Sequence, residues 1–211
     1  MNQTYQPKAT GQKKVFKYKG LEVFTKTHSY IPVSLFIATG IFLSVYALNR
    51  NILTGTELLI TYFSGLLAFT FVEYMVHRFV FHMTLTTTIR KKIQYLFHGV
   101  HHEYPRDKDR LAMPPLASIA LAVLTFGLIN LVLGRWSYGF VAGFLNGYAL
   151  YLFVHYIVHA WKMPQNSFKT LWLYHNIHHY QDENVAFGVS SHLWDKVFGT
   201  LPDKKTGKTK K

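Results

Sequence analysis

Residues 58–82 read LLITYFSGLLAFTFVEYMVHRFVFH, an apolar run that ends in two histidines, His77 and His82. A helix needs about 20 apolar residues to cross the roughly 30 Å hydrocarbon core of a bilayer. The run therefore predicts a membrane-spanning helix from about Leu58 to Val76 that continues to His82. Two histidines five residues apart fit a regular helix poorly, so we expect a π-bulge or another local distortion there.

Three other stretches of the chain have the same apolar character. They run from about Tyr30 to Leu48, from Pro114 to Leu133 and from Trp136 to His159. A lone span must satisfy its own backbone hydrogen bonds, so all four stretches are predicted to be helices. The predicted fold class is all-α: an integral membrane bundle of four transmembrane helices with a cytoplasmic, histidine-rich helical cap.

The basic residues are segregated from the apolar runs, and they set the expected orientation. The chain has 211 residues and a net charge of +13, yet the connections after the first and third spans carry only Arg50 and Arg135. Lysine and arginine collect on the cytoplasmic side of membrane proteins. We therefore expect both termini and the long middle loop to face the cytoplasm.

Three parts are expected along the chain: a cytoplasmic N-terminal segment at residues 1–29, a membrane domain at 30–201 and a basic tail at 202–211. The N-terminal lysines precede no apolar run with a small-residue cleavage site, so no removable signal peptide is expected. No stacking platform accompanies the tail, so it should lie against anionic lipid rather than nucleic acid. The sequence has no cysteine, which excludes disulfides and thiolate ligands.

Ten of the twelve histidines fall into four clusters, each at the polar end of an apolar segment. The clusters are His77-x4-His82, His98-x2-His101-His102, His155-x3-His159 and His175-x2-His178-His179. Imidazole is the commonest protein ligand for transition metals, and ten exceed the roughly four to six donors that one ion takes. Because the predicted topology places all four clusters on the cytoplasmic side, the pattern predicts a site for two metal ions.

The spacing within the clusters suits shared ligation. Residues three and four apart share a helix face, so His155 and His159 can point at one site, and so can the three histidines of each HxxHH cluster. Imidazole binds metal in its neutral form, so the site should weaken as the pH falls through roughly 6.5. His28 and His192 lie outside the clusters and are expected to be interfacial anchors.

One carboxylate lies inside a predicted span. Glu73 is one helical turn before His77, and an unpaired carboxylate is costly in a membrane. It should accept a hydrogen bond either from a ring nitrogen of a metal-binding histidine or from a neighbouring helix. Weaker candidates for the first role are Glu103, Asp107, Asp182, Glu183 and Asp195.

The sequence around the clusters resembles the integral-membrane fatty acid hydroxylase superfamily, and most of all its fatty acid 2-hydroxylases. The order HxxxxH, HxxHH, HxxxH and HxxHH is similar to the ten-histidine pattern of that group. Longer stretches agree as well: HGVHHEYP at residues 98–105, RLAMPP at 110–115 and LWDKVFGT at 193–200. Membrane desaturases and carotene hydroxylases share the histidine boxes, so the last two stretches narrow the choice. The resemblance covers residues from about 24 to 201.

The resemblance implies an activity. The ten histidines would hold two metal ions, iron in the working enzyme with zinc possible in isolated protein, and O2 would supply an oxygen atom to carbon 2 of a fatty acyl chain, either free or in a sphingolipid or ceramide. The chain lacks the haem-binding HPGG motif of the cytochrome b5 domain fused to many eukaryotic members. This departure implies a separate electron donor, such as a cytochrome b5 or a ferredoxin, and favours a bacterial inner membrane over the endoplasmic reticulum.

A site at the membrane–water boundary would reach carbon 2 of a lipid rather than the end of its chain. Five aromatic residues near that boundary could line an acyl groove or act as interfacial anchors: Tyr95, Tyr151, Trp161, Trp172 and Tyr174. Two alternatives remain open. One is a carotenoid or sterol hydroxylase or desaturase with the same kind of site. The other is a metal transporter or sensor, although the spans hold few polar residues to line a path.

Overall fold

The computed structural model describes residues 4–8, 10–14, 18 and 26–202. Over these ranges the regular secondary structure is helical, apart from isolated bridge positions at Asp182 and Pro202. The predicted all-α class is therefore confirmed for the described part of the chain. Nearly all of the predicted basic tail, and about half of the predicted N-terminal segment, lie outside the described residues.

Eight α-helices follow one another in the described residues, and two of them continue as π-helices. They are α1 (Tyr30–Asn49), α2 (Gly55–Val76, continuing as the π-helix His77–Phe81), α3 (Thr88–Gln94, continuing as the π-helix Tyr95–Gly99), α4 (Val100–Glu103), α5 (Pro115–Leu133), α6 (Ser137–Ala160), α7 (Lys169–Tyr180) and α8 (Leu193–Val197). Short 3-10 turns at Lys108–Arg110 and Gly134–Trp136 precede α5 and α6.

Three segments of the described chain are long and apolar enough to cross a membrane. They are Tyr30–Asn49, Gly55–Phe81 and Lys108–Ala160. The third has 53 residues and contains both α5 and α6, which separate at Gly134, where φ is +53°. Glycine adopts a positive φ easily, so Gly134 suits the junction between the two helices. The long apolar helices indicate an integral membrane protein.

Helix α6 lies at the centre of the bundle and packs closely against α2. A Cβ atom added to Gly143 would lie 1.8 Å from the carbonyl oxygen of Tyr62, so the two backbones are in direct contact. Small residues permit such close packing between membrane helices. Gly139 faces Thr61 and Gly147 faces Phe69, so the two helices run parallel. Continued along both helices, this register places the histidine-bearing end of α2 beside that of α6.

The opposite end of the bundle is held by polar contacts. Thr54 and Glu57 form a capping box at the start of α2, with the Glu57 amide donating to Thr54 Oγ1 at 3.2 Å. Arg135, before α6, pairs with the Glu57 carboxylate at 2.5 Å and donates to the Ile52 carbonyl at 3.0 Å. These bonds connect the loops after α1 and α5 and fix the relative height of α2 and α6.

The described N-terminal residues contact the helices that carry His98, His101 and His102. The Lys8 amide donates to the Glu103 carbonyl at 2.8 Å. Tyr5 donates its hydroxyl hydrogen to Gln94 Oε1 at 2.6 Å, and Gln94 Nε2 donates to the Phe81 carbonyl at 2.8 Å. Gln94 is buried and so joins the ends of the two π-helices to the N-terminal segment.

Candidate metal centre

Ten histidine side chains form two groups at the end of the bundle where α2 and α6 finish. Within each group every residue offers one ring nitrogen, and these nitrogens all lie within 4.8 Å of one another. The first histidine group is His77, His82, His98, His102 and His178, and the second histidine group is His101, His155, His159, His175 and His179. All ten clustered histidines of the sequence are thus brought together, as two sets of five.

Each HxxHH cluster divides between the two groups, contrary to the expectation that its three histidines face one site. His98 and His102 join the first group, whereas His101 joins the second; in the later cluster the middle histidine, His178, likewise separates from its neighbours. Positions i and i+4 lie about 40° apart around a helix, whereas i+3 and i+4 differ by about 100°. Each HxxHH cluster therefore contributes to both groups at once.

The expected distortion at His77 and His82 is confirmed. His77–Phe81 is a π-helix, and the His82 amide donates to the His77 carbonyl at 3.1 Å, five residues back. This wider turn brings two histidines at this spacing into one group. A second π-helix, Tyr95–Gly99, carries His98. The sequence reasoning missed it, because the spacing of the histidines there is regular.

The ring nitrogens have the separations expected of ligands that share an ion. Four pairs of Nε2 atoms lie 2.7–3.1 Å apart: His77–His98, His98–His102, His101–His155 and His159–His175. Two nitrogens at about 2.1 Å from one ion and at right angles to each other lie about 3 Å apart. Imidazole nitrogen suits iron and zinc alike, so the donor set fits two transition-metal ions.

Burial favours the neutral form of clustered histidines that lie outside the long apolar helices. It lowers the pKa of His102 to about 3, and the His77 ring adds to the effect. The pKa values of His101 and His178 are held well below the usual value of 6.5, first by burial and then by neighbouring imidazoles. A histidine must be neutral to offer a ring nitrogen to a metal, so these shifts favour ligation at physiological pH.

Backbone carbonyls orient two rings of the first histidine group. His77 Nδ1 lies 2.5 Å from the Phe187 carbonyl and His178 Nδ1 lies 2.7 Å from the Val185 carbonyl. Because a carbonyl only accepts, both Nδ1 atoms carry the hydrogen, which leaves Nε2 as the free acceptor. Nε2 of His178 is buried and makes no hydrogen bond within the described residues. A buried polar atom without a partner costs about 1–3 kcal/mol, and a metal ion would satisfy it.

The loop that supplies these carbonyls is held by two buried acids. Asp195 accepts hydrogen bonds from the amides of Phe187 and Gly188 at 2.9 and 2.8 Å. Glu73 accepts from the amides of Val189 and Ser190 at 2.7 and 2.9 Å, and also from the Ser190 hydroxyl. Glu73 therefore bonds to neither of its expected partners, a histidine ring or a neighbouring helix. It acts on the site through the loop 185–190, which the sequence did not single out.

The other candidate acids have partners elsewhere. Glu103 pairs with Lys8 and accepts from the Tyr95 hydroxyl at 2.5 Å. The other three acids bond to nearby residues or to the N-terminal segment: Asp107 to Arg110 and Gln12, Asp182 to Asn184, and Glu183 to Thr4. None of these bonds reaches the loop 185–190, whereas Asp195 accepts from the amides of Phe187 and Gly188, on either side of the carbonyl that orients His77.

The two histidines left outside the clusters stay outside both groups. His28 is exposed and lies against Tyr30, with ring centroids 5.0 Å apart. His192 packs against Tyr174 at 4.6 Å, and burial lowers its pKa to about 4.

Four of the five boundary aromatics pack against protein, whereas the side chain of Trp161 is exposed. Tyr151 stacks on His155 at 5.4 Å, and Trp172 donates to the Trp161 carbonyl at 3.2 Å. Tyr95 is bonded to Glu103, and Tyr174 covers His192.

Comparison with known proteins agrees with this geometry. Residues 62–200 match the fatty acid hydroxylase family. The dihydroceramide fatty acyl 2-hydroxylase FAH2 of Arabidopsis thaliana is 38% identical over 147 residues, which cover 69% of this chain and 62% of that protein. The ceramide very long chain fatty acid hydroxylase scs7 of Schizosaccharomyces pombe is 38% identical over 189 residues, which cover 85% of this chain and 52% of that protein.

A solved structure shares the fold. It is full-length scs7p, in which only the hydroxylase domain is visible; it superposes with a TM-score of 0.80 at 32% identity and covers 90% of this chain and 72% of that one. The fatty acid 2-hydroxylase of Mus musculus is 36% identical over 65% of this chain and 38% of its own length. This chain thus spans between about two fifths and two thirds of the three enzymes compared by sequence. The two histidine groups, the shared fold and the sequence match agree, and the chain belongs to the fatty acid hydroxylase family.

Proposed function

We propose that this protein is a membrane-bound dimetal monooxygenase that uses O2 to hydroxylate carbon 2 of a fatty acyl chain, either free or in a sphingolipid or ceramide. The observation that carries the proposal is the pair of buried, five-histidine groups in a chain of this family. The relatives are named as 2-hydroxylases or ceramide hydroxylases, which supports the position of attack and the substrate class.

The ten histidines are proposed as the metal ligands, five to each ion. Bound metals, iron in the working enzyme, would supply the oxidising chemistry, namely activation of O2 for insertion into a C–H bond. The chain's own residues favour neutral rings and exclude water by burial, and the carbonyls of Phe187 and Val185 fix the tautomers of His77 and His178. No catalytic residue beyond the metal ligands is proposed.

We further propose that α1, α2, α5 and α6 each cross the membrane, with a cytoplasmic cap formed by α3, α4, α7 and α8. The parallel packing of α2 and α6 supports this topology, because helices separated by one intervening span run in the same direction. The histidines then lie at the cytoplasmic boundary, at the depth of carbon 2 of a membrane lipid. Residues 30–201 would form the membrane domain, with both termini cytoplasmic and the bacterial inner membrane as the favoured location.

The reducing equivalents are proposed to come from a separate protein such as a cytochrome b5 or a ferredoxin. Helix α3 presents Arg90, Lys91 and Lys92 on the exposed surface of the cap. Such a basic surface would attract an acidic donor and raise its rate of association at low salt.

Lipid analysis tests the proposal. Lipids from cells with and without the protein are compared by mass spectrometry, and we expect acyl chains that gain the mass of one oxygen atom, with fragments that place it at carbon 2. His101→Ala should abolish the product while folded protein remains, and His28→Ala should keep it. Acyl chains that lose two hydrogens would indicate a desaturase instead, and unchanged lipids would reject the enzyme.

A further inference from the structure

A cavity of about 310 Å³ borders the first histidine group. It is lined by Arg78, Phe79, His82, Met83, Thr84 and Arg90, and so lies between the cytoplasmic end of α2 and the start of α3. His82 is less deeply buried than the other members of its group. The cavity therefore leads from the protein surface to a proposed metal ligand.

Two guanidinium groups give the cavity a positive charge. Arg78 donates to the Tyr74 hydroxyl at 2.7 Å and lies over the Phe79 ring at 5.0 Å. Arg90 is exposed, and its side chain approaches the Thr86 hydroxyl at 3.4 Å. In the described part of the chain neither forms an ion pair with a carboxylate. The nearby Asp195 already accepts hydrogen bonds from two amides and from Thr200.

The cavity also has an apolar side. Phe79 and Met83 line it, and the neighbouring surface continues with exposed Val80, Ile93 and Phe97. Phe79, Val80 and Met83 lie at the end of the proposed span α2, where lipid would cover them, and Ile93 and Phe97 extend the apolar surface along α3 and its π-helix. A ligand for this cavity should combine an anionic head with an apolar chain. The volume is at the lower end of the range for ligand pockets, which suits a head group and the first carbons of a chain.

We propose that this cavity binds the oxyanion of an acyl lipid, a carboxylate or a phosphate, between Arg78 and Arg90, and that this lipid is the substrate. Guanidinium groups bind such oxyanions by paired, charge-assisted hydrogen bonds. A head held there places the first carbons of the chain next to His82. The assignment rests on the proposed hydroxylase function and selects an anionic acyl lipid over an uncharged ceramide.

Binding is measured on the purified full chain in an uncharged detergent, with laurate, dodecyl phosphate and dodecanol as probes. Wild type should bind both anions more tightly than dodecanol. Arg90→Ala should lower the affinity for both anions about tenfold, as expected for the loss of one charge-assisted contact. Arg90→Lys should recover part of that affinity. Lys91→Ala changes the next residue, outside the cavity, and should bind both anions like wild type.

The affinity for inorganic phosphate distinguishes a site for a lipid head group from a site for a free ion. If inorganic phosphate binds as tightly as dodecyl phosphate, the cavity takes a free ion and the lipid assignment is wrong. An affinity for laurate and dodecyl phosphate that is unchanged in Arg90→Ala, or that equals the affinity for dodecanol, would overturn the site itself.

Hydroxylation of laurate and of an uncharged ceramide is scored separately. A fall in kcat/KM for laurate in Arg90→Ala that is absent in Lys91→Ala, which removes a charge from the same basic surface outside the cavity, supports the assignment. If only the ceramide is hydroxylated, and Arg90→Ala does not change its kcat/KM, the substrate assignment is wrong and the hydroxylase function stands. Binding of laurate through Arg90 without hydroxylation of any lipid keeps the site and rejects the proposed function.

Discussion

His77 Nδ1 donates a hydrogen bond of 2.5 Å to the carbonyl oxygen of Phe187, 110 positions along the chain. The peptide group that contains this carbonyl also contains the Gly188 amide, which donates to Asp195 Oδ2 at 2.8 Å. Hydrogen bonds in such a series polarise and strengthen one another. A charge on Asp195 therefore makes the carbonyl a better acceptor and fixes the ring of His77.

Asp195→Asn tests this series of bonds. The amide NH2 of asparagine cannot accept a hydrogen bond, so one of the three donors around Asp195 loses its partner, at about 1–3 kcal/mol of unfolding free energy. Loss of an outer partner of a ligand typically weakens metal binding by about 10–100-fold. We expect one of the two metals to be removed by a chelator at a lower concentration, as measured by metal content per chain.

Glu183→Gln is the matched control for that variant. Glu183 lies on the connection between α7 and α8 that also contains the loop 185–190, but it contacts Thr4, so its change should leave metal retention unaltered. Equal retention of both metals by Asp195→Asn and wild type would show that the loop 185–190 does not position the ring.

The two histidine groups should lose metal independently. His98→Ala removes one imidazole from the first histidine group and His175→Ala removes one from the second. Wild type should hold two metals per chain, each single variant about one, and the double variant far less, as measured by elemental analysis of folded protein. His28→Ala lies outside both groups and should retain both ions. A complete loss of metal in either single variant would indicate one shared site instead.

The stability of the metal-free protein should fall in acid. His102 has its pKa lowered to about 3 in the folded protein, below the roughly 6.5 of an unfolded histidine. Between these two pH values the unfolded chain takes up a proton that the folded chain refuses, so the stabilisation present above about pH 6.5 is lost as the pH falls. Each such histidine contributes about 1.4 kcal/mol per pH unit.

Thermal unfolding of metal-free protein in detergent, followed from pH 7.5 down to 4.5, measures this dependence. The midpoint should decrease steadily over that range, and the slope should be smaller in His102→Gln. A midpoint that is constant with pH would mean that the histidines are charged, or solvated, in the metal-free fold.

One added methyl group between α2 and α6 should disrupt their close packing. A Cβ at position 143 would lie 1.8 Å from a backbone oxygen of α2, which the helices can relieve only by moving apart. We expect Gly143→Ala to lower the unfolding temperature and, because the separation moves the ends of both helices, to reduce metal content.

Gly127→Ala is the control for the packing variant. A Cβ there meets nothing within 4 Å, and replacing glycine by alanine inside a helix stabilises it by about 0.5–1 kcal/mol. The two substitutions are chemically identical, so opposite effects on the unfolding temperature isolate helix packing. Similar effects would contradict the close approach of α2 to α6.

Local sequence patterns predicted the elements of this protein well. The apolar runs correspond to α1, α2, α5 and α6, and the spacing of His77 and His82 predicted the π-helix. Both features depend on residues within a few positions of each other. The partners of each HxxHH cluster are a different matter. Helical spacing separates His101 from His102, but it does not say which distant histidines each of them meets.

Glu73 shows the same limit for a single residue. Its place in an apolar run required a partner, and the sequence offered a histidine ring or a neighbouring helix. The partners are the amides of Val189 and Ser190, together with the Ser190 hydroxyl, more than a hundred residues away. Backbone amides carry no signature in the sequence, so the loop 185–190 could not be found from residue types.

The sequence by itself determined that the described chain is helical, that its long apolar runs end in histidines, and which ten imidazoles could bind metal. These properties follow from composition and from spacing over one or two helical turns. Only the tertiary structure decided that the imidazoles form two sets of five and that Glu73 and Asp195 act on them through a loop. Such contacts depend on the register of α2 against α6 and on where a distant loop closes over them, because packing between distant segments fixes which groups meet.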